Sequence, residues 1–241
     1  MNNWEIPSLR KYVLSKTDKN TEELEDIGKK WTQVAAKNKL SYELDWLGVP
    51  VIQTPEDLFL MQELIFKQKP DFIIETGIAH GGSLIYYASL LQILNHGSVI
   101  GIDVDIREHN RKVIEKHPVN KRIKMIQGSS TSHSTIEKIR KMIPKDSNVI
   151  VCLDSDHTKN HVLSELQMYQ EFILPGGYIV VFDTNTSELA EQGACDEKYI
   201  NNSPMEAIYD FLNENDSFEI DDNYNKLYIS YSPNGYLRRV K

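Results

Sequence analysis

From residue 71 onward, the chain alternates short continuous hydrophobic runs with longer amphipathic segments. The hydrophobic runs occupy residues 71–75, 98–103, 122–127, 148–153 and 177–182. Between them, apolar side chains recur at helical spacing over residues 81–94, 108–116, 134–142 and 161–172. Continuously apolar strands separated by helices predict a parallel sheet with helices on both faces, the doubly wound α/β class.

The C-terminal part predicts two further strands. A polar loop is expected over residues 185–202 and a helix over 204–212. Residues 217–220 and 226–231 then flank the turn-rich stretch 221–225, which is typical of a β-hairpin. The sequence therefore predicts a mostly parallel, seven-stranded sheet that ends in an antiparallel edge hairpin.

The first 69 residues lack this alternation. Apolar residues at 12–14 and 24–34 have helical spacing, whereas residues 42–51 are aromatic and irregular. Thr54 then opens a further helix, because a hydroxyl cap, Pro55 and two acidic residues follow one another. We predict an N-terminal helical cap over residues 1–69 and a ligand-binding domain over residues 70–241.

The charge balance narrows the range of partners. The chain has 27 basic and 35 acidic residues, and it contains no long Lys/Arg run, so a nucleic-acid backbone is not expected as its main partner. No stretch reaches the ~18 apolar residues of a membrane span. With two cysteines and no secretion signal, the sequence predicts a cytoplasmic protein. It leaves open whether the chain is a monomer or a homo-oligomer.

The turn after the first strand has the residues of a cofactor-binding loop. Glu75 and Thr76 end the strand, Gly77 permits a tight turn, and Gly81, Gly82 and Ser83 begin a helix whose amides favour a negative group. Asp103 ends the second strand, 21 residues after Gly82, close to the ~20-residue spacing at which an acid binds ribose hydroxyls. This pattern fits a nicotinamide cofactor or S-adenosylmethionine. Ala79 replaces the second glycine of the dinucleotide motif, which weakens the nicotinamide alternative.

Polar residues also follow the later strands. Ser129 and Ser130 come after the third strand and suit the wall of an adenine pocket. Asp154, Asp156 and His157 follow the fourth strand, and Asp183 follows the fifth. Carboxylates that converge from neighbouring strand ends are typical Mg²⁺ ligands. His157 is a more plausible proton acceptor than metal ligand.

Four segments of the chain resemble a known family, the cephalosporin hydroxylase family. They are residues 75–89, 101–107, 128–131 and 153–158, and the resemblance extends from about residue 52 to the C-terminus. The family is named for a protein of cephamycin biosynthesis and includes sugar and rhamnosyl O-methyltransferases. The resemblance implies a Rossmann-like class I methyltransferase fold, S-adenosylmethionine as cofactor, and Mg²⁺.

The resemblance also implies residue roles. Residues 75–83 would hold the methionine end of the cofactor, Asp103 the ribose, and Ser129 and Ser130 the adenine. Asp154 and Asp183 would bind the metal, and Asp154 would also border the cofactor. The family commonly has an acidic pair at the end of the fifth strand, whereas this chain has Phe182 at the first position. One metal ligand is therefore either missing or replaced, with Thr184, Asn185 and Asp156 as the candidates for replacement.

We therefore predict a Mg²⁺-assisted O-methyltransferase that acts on a hydroxylated small molecule or sugar, in natural product or polysaccharide biosynthesis. His157 and Asp154 are the candidate catalytic residues. Two alternatives remain from the sequence. One is a NAD-dependent oxidoreductase, for which no catalytic Tyr-Lys pair is found, and the other is a degenerate methyltransferase fold that only binds a ligand.

Overall fold

The computed structural model describes residues 20–241, so the helical pattern predicted at residues 12–14 lies outside the described residues. The α-helices are α1 (Thr21–Lys37), α2 (Pro55–Gln68), α3 (Gly82–Leu94), α4 (Glu108–Lys116), α5 (His133–Met142), α6 (Lys159–Tyr169), α7 (Thr186–Glu191) and α8 (Pro204–Glu214). The strands are β1 (Asp45–Trp46), β2 (Val49–Pro50), β3 (Phe72–Thr76), β4 (Ser98–Asp103), β5 (Ile123–Gln127), β6 (Val149–Leu153), β7 (Tyr178–Val181), β8 (Phe218–Ile220) and β9 (Tyr236–Arg239).

The main sheet has seven strands in the order β5-β4-β3-β6-β7-β9-β8. The first five of these are parallel, and β9 pairs antiparallel with both β7 and β8. The prediction of a mostly parallel seven-stranded sheet with an antiparallel edge is confirmed. Among the described residues, no helix combines the length and apolar character needed to cross a membrane.

Two hydrophobic cores cover the two faces of this sheet. One contains Ile73 of β3 with apolar residues of α2, α3 and α4, and the other contains Ile74 of β3 with apolar residues of α5, α6 and α8. Consecutive strand residues point to opposite faces, so β3 contributes to both cores. The helices that follow the neighbouring strands β3 and β6 thus lie on opposite faces, which defines the switch point where such sheets bind ligands.

The second strand of the predicted hairpin was placed wrongly. The strand is residues Tyr236–Arg239 rather than 226–231. Residues 226–231 alternate like a strand, but their backbone is engaged by a side chain instead. The Asp57 carboxylate accepts a hydrogen bond from the Tyr231 N–H at 3.0 Å and another from the Ser230 hydroxyl, and Tyr228 has a left-handed φ of 63°.

The polar loop predicted over residues 185–202 is also partly wrong, because it contains α7 and a 3₁₀ turn at Glu197–Tyr199. Leu189 and Ala190 of α7 are buried. A six-residue helix is too short to show helical periodicity in a sequence, so polar composition dominated the prediction. The division into a cap (1–69) and a domain (70–241) stays a prediction, although Leu64 and Ile65 of α2 belong to the core of the sheet.

Asp57 gives the first testable prediction. It is fully buried, and burial raises its pKa to about 6 from 3.8, against the opposing hydrogen bonds of Ser230, Tyr231 and Thr54. The folded chain therefore binds this proton more tightly than the unfolded chain, so the contribution of Asp57 to stability falls as the pH rises from about 4 to about 6. In urea denaturation, the free energy of unfolding of Asp57→Asn should rise relative to that of the wild type by up to about 1.4 kcal/mol per pH unit across this range. Parallel stability curves for the two proteins would contradict this assignment.

Candidate active site

A cavity of about 230 Å³ lies at the carboxyl ends of the central strands. The Asp154 N–H donates to the Thr76 carbonyl at 2.9 Å, which ties the ends of β6 and β3 together at the switch point. Residues of three segments and of the strand ends line the cavity: Tyr42, Pro50, Val51, Ile52, Gln53, Gly77, Ile78, Ala79, His80, Gly82, Ser83, Asp154, Ser155, His157 and Asp183.

The glycine loop lines the cavity and also packs closely against the backbone of neighbouring segments. Gly77 has a φ of +87°, and a Cβ there would lie 2.0 Å from the Asp154 carbonyl oxygen. A Cβ on Gly82 would lie 2.1 Å from the Pro50 carbonyl oxygen. Gly82 is therefore needed for the close approach of the N-terminal segment, besides any approach of a ligand. Through this contact between Gly82 and Pro50, residues 50–53 lie against the glycine loop.

Glu75 and Thr76 are completely buried beneath this loop and are not among the residues that line the cavity. Glu75 accepts a hydrogen bond from the Ser83 hydroxyl at 2.7 Å. Burial, with the nearby Asp154 carboxylate, raises the pKa of Glu75 well above its ordinary value. Glu75 Oε1 is buried with no hydrogen-bond partner among the described residues.

Asp103 braces the same loop. Its Oδ2 accepts a hydrogen bond from the Ile78 N–H at 2.8 Å, and its Oδ1 accepts one from the Asp105 N–H at 2.9 Å. Each carboxylate oxygen has a further lone pair, so both oxygens can still accept hydrogen bonds from a ligand. Asp103 is half-buried, beside the glycine loop as its spacing predicts.

Ser129 and Ser130 lie in the loop after β5 and do not line the 230 Å³ cavity. Ser130 is buried. Its hydroxyl lies 3.2 Å from His161 Nε2, which also lies 3.0 Å from the Ser155 hydroxyl and 3.3 Å from Glu165. These contacts join the loop after β5 to the loop after β6. His161 therefore contacts a different set of residues from His157, whose ring lies between Asp154 and Asp183.

Asp154, His157 and Asp183 form a compact cluster in the cavity. One donor atom from each lies within 4.8 Å of the other two. His157 Nε2 lies 3.4 Å from Asp154 Oδ1, and His157 Nδ1 lies 3.3 Å from Asp183 Oδ2. Nε2 is buried and makes no hydrogen bond within the described chain. Asp183 has a left-handed φ of 55°, a strained conformation that is often found at functional sites.

Burial and mutual charge shift the pKa values of this cluster. Burial raises the pKa of the Asp154 and Asp183 carboxyls, that of Asp183 to about 6. Burial alone would lower the pKa of His157, but the carboxylates of Asp183 and Asp154 outweigh it and raise that pKa to about 9. The two acids thus stabilise a positive charge on the His157 ring. A cation that His157 ligates would take the place of this proton, because a ligating imidazole must be neutral.

Asp156, the third metal ligand predicted from sequence, lies outside this cluster. It is exposed, and its carboxylate accepts a hydrogen bond from the Thr158 N–H at 2.8 Å, which is the local capping role of an Asx turn. Phe182 is buried in the core rather than in the site. Thr184 and Asn185, the other suggested replacements, do not line the cavity that contains the cluster: the Thr184 hydroxyl donates to the Pro233 carbonyl at 2.5 Å, and Asn185 lines a different cavity. The third residue of the cluster is His157.

Sequence reasoning missed the contribution of the N-terminal segment. Gln53 donates from Nε2 to Asp154 Oδ2 at 3.2 Å, and Tyr42 lines the same cavity. Gln53 precedes the helix cap Thr54, and nothing in its neighbourhood distinguishes it from a polar loop residue. Only the fold brings it to Asp154, 101 positions later.

The strand order, the helices on both faces and the site at the switch point define a class I methyltransferase fold. A solved structure of CmcI with Mg and SAM has this fold, with a TM-score of 0.59 and 20% identity over 83% of this chain and 78% of that one. Residues 38–240 match the family model described as "Rhamnosyl O-methyltransferase/CmcI". The chain belongs to this family and is an S-adenosylmethionine-dependent O-methyltransferase.

Two curated relatives are rhamnosyl O-methyltransferases of mycobacteria. The protein of Mycobacterium tuberculosis is 27% identical over 199 residues, which cover 80% of this chain and 77% of the relative. The protein of Mycobacterium leprae is 28% identical over 141 residues, which cover 58% of this chain and 60% of the relative. The match thus spans less than two thirds of the M. leprae protein. The family membership removes the NAD-dependent alternative.

Proposed function

We propose that the chain methylates a hydroxyl group of a hydroxylated small molecule or sugar, with a divalent cation held by Asp154, His157 and Asp183. The observation that carries this proposal is that cluster, which lies in one cavity with the glycine loop. Sugar acceptors are supported by the names of the mycobacterial relatives, and Mg²⁺ by the CmcI structure with Mg and SAM.

The donor set fits a divalent cation. Two carboxylates supply hard oxygen ligands, and the buried Nε2 of His157 lacks any other hydrogen-bond partner. Gln53 fixes the orientation of Asp154 from the opposite side. A cation held by these residues would lower the pKa of an acceptor hydroxyl and fix its position. We assign His157 to this cluster, and the proton-accepting roles predicted for His157 and Asp154 stay predictions.

The glycine loop fits the cofactor, which supplies an electrophilic methyl group when bound. Gly77, Gly82 and Ser83 line the cavity at the N-terminus of α3, where free amides favour a carboxylate. Glu75 supports Ser83 from beneath the loop, and Asp103 has acceptor capacity left for ribose hydroxyls. Positioning of the two reacting groups is the main catalytic contribution that these residues make. The adenine contacts of Ser129 and Ser130 stay predictions.

Asp103→Ala tests the cofactor assignment. The variant should weaken S-adenosylmethionine binding ten- to a hundredfold in calorimetry, because about 1.5–3 kcal/mol of hydrogen bonding is lost. Asp105→Ala is the matched control, since Asp105 is an exposed acid two residues away whose carboxylate lies 4.0 Å from the Arg107 guanidinium. Equal affinities for the two variants would contradict the role of Asp103.

The other alternative from the sequence is a degenerate fold that only binds a ligand, which the replacement of one expected acid by Phe182 had left open. The intact cluster of Asp154, His157 and Asp183 favours an enzyme. Binding of S-adenosylmethionine without methyl transfer to any hydroxylated acceptor would favour the binding module. The expected cytoplasmic location, the absence of a nucleic-acid partner and the choice between monomer and homo-oligomer stay predictions.

A further inference from the structure

Asp183 has a backbone conformation that few residues other than glycine adopt. Its left-handed φ of 55° is strained, and such a residue persists where its surroundings fix it from several sides. Its carbonyl accepts a hydrogen bond from the Thr186 N–H at 3.1 Å, and its own N–H donates to the Ser232 hydroxyl at 3.2 Å. In this conformation its carboxylate lies 3.3 Å from His157 Nδ1. The residues that hold Ser232 therefore also hold one acid of the cluster.

Ser232 belongs to a chain of hydrogen bonds that leads to the start of α2. The Ser232 N–H donates to the Ser230 hydroxyl at 2.8 Å, and the Ser230 hydroxyl donates in turn to the Asp57 carboxylate. The same carboxylate accepts a hydrogen bond from the Tyr231 N–H at 3.0 Å, so it holds this segment through two adjacent residues. Three hydrogen bonds thus connect Asp57 to Asp183 through two serines.

Asp57 is a rigid end point for this chain of hydrogen bonds. It is the third residue of α2, and the N-cap residue Thr54 accepts a hydrogen bond from its N–H at 3.2 Å and donates one to its Oδ2 at 2.8 Å. Leu64 and Ile65 of the same helix are buried in the core of the sheet. The position of the Asp57 carboxylate is therefore set by a packed helix rather than by a loop.

The start of α2 also contacts the second acid of the cluster. Gln53 directly precedes Thr54, and its Nε2 donates to Asp154 Oδ2 at 3.2 Å. Asp154 and Asp183 follow two neighbouring strands of the sheet, whereas residues 53–57 approach them from the N-terminal segment. One short segment is thus hydrogen-bonded to both carboxylate residues, to one directly and to the other through the two serines.

We propose that Asp57 is a positioning residue for the cation site, acting on Asp183 through Ser230 and Ser232. The inference rests on the proposed function, in which the cluster holds a divalent cation. Asp57 does not line the 230 Å³ cavity, so it contributes no ligand of its own. Together with Gln53 it keeps the two acids in place before a cation binds, as groups that orient metal ligands do.

The test is a Mg²⁺ titration of the full chain followed by its melting temperature, since the concentration dependence of the rise gives an apparent dissociation constant. Ser232→Ala removes the acceptor of the Asp183 N–H, and Asp57→Ala removes the end point of the hydrogen-bond chain. Each should raise the constant about tenfold or more, the usual effect of losing a group that orients a metal ligand. Ser232→Ala deletes a single hydroxyl and decides the test alone if Asp57→Ala does not fold.

Two matched controls separate positioning from stability. Asp221 is also a buried acid that accepts hydrogen bonds from a hydroxyl, that of Tyr178, and from a backbone N–H, that of Asn223. Tyr178 begins β7, at the opposite end of the strand from the cluster. Ser89 of α3 is also a buried serine whose hydroxyl accepts an N–H, that of Trp46. Asp221→Ala and Ser89→Ala should keep the constant within about twofold of the wild type, although they lose hydrogen bonds of the same kinds.

Wild-type Mg²⁺ affinity in Ser232→Ala or in folded Asp57→Ala, or equal losses in a variant and its control, would overturn the inference. Weaker binding of S-adenosylhomocysteine to Ser232→Ala, measured by calorimetry in EDTA, would also overturn it, because the effect would then not be confined to the cation site. A failure of the proposed function looks different. In that case the melting temperature of the wild type would not respond to Mg²⁺, and the inference would fall with the cation.

Discussion

Asp154→Asn and Asp183→Asn should each lower kcat/KM for methyl transfer at least a hundredfold, roughly 2.7 kcal/mol of transition-state stabilisation. Both carboxylates lie within ion-pair distance of His157 in one cluster. Loss of either negative charge removes a hard ligand and part of the potential that holds a cation there. Steady-state kinetics with S-adenosylmethionine and a hydroxylated acceptor measures the effect.

A melting curve separates a metal role from a structural one. Mg²⁺ should raise the melting temperature of the wild type, because a ligand that binds only the native state stabilises it. The increase should be small, since two acids and one imidazole form a weak site for a hard ion, and both variants should lose it. Asp156→Asn should retain both activity and the increase, because Asp156 only caps Thr158. If Asp156→Asn behaves like Asp154→Asn, the cluster is assigned wrongly.

Gly77→Ala should destabilise the fold more than any other single methyl addition in the loop. The new Cβ would meet the Asp154 carbonyl at 2.0 Å, and the φ of +87° is unfavourable for alanine. Gly176 has almost the same φ, +88°, but no atom of residues 20–241 beyond its chain neighbours lies within 4 Å of the position that its Cβ would take. Gly176→Ala should therefore cost about 1–2 kcal/mol from backbone strain alone.

The collision at Gly77 should add about 1–3 kcal/mol to that cost. For a chain of this length, each kcal/mol lowers the melting temperature by about 2–4 °C. Chemical denaturation of the two variants isolates the collision, because the backbone strain is matched. The same collision displaces Asp154, so Gly77→Ala should also weaken the response to Mg²⁺. Equal stability losses at Gly77 and Gly176 would show that the loop moves away from β6 without cost.

The sequence predicted the parallel part of the fold well, because buried parallel strands are continuous apolar runs. Residues 98–103 and 148–153 appear in the structure as strands Ser98–Asp103 and Val149–Leu153. The predicted strand at residues 226–231 is wrong because the Tyr231 N–H donates to the side chain of Asp57, which is distant in the sequence, and not to a neighbouring strand. A sequence pattern does not show which distant group will accept a backbone hydrogen bond.

The two acids of the candidate site could be predicted from the sequence, whereas its other residues could not. Asp154 and Asp183 follow apolar strands, and parallel strands bring their carboxyl ends together, so their meeting follows from the topology. His157 rather than Asp156 lies in the cluster with Asp154 and Asp183, because residues 154–158 form a capped turn whose side-chain directions no periodicity encodes. The contacts of Gln53 and Asp57 depend on how the N-terminal segment packs on the sheet.

Calorimetric titration of the purified chain with S-adenosylmethionine, in the presence of Mg²⁺, tests the central claim most directly. One molecule should bind per chain with a dissociation constant in the micromolar range, on the order of −8 kcal/mol, and NAD should produce no binding heat. Absence of binding to S-adenosylmethionine, or binding of NAD in its place, would contradict the assignment of the glycine loop and with it the function.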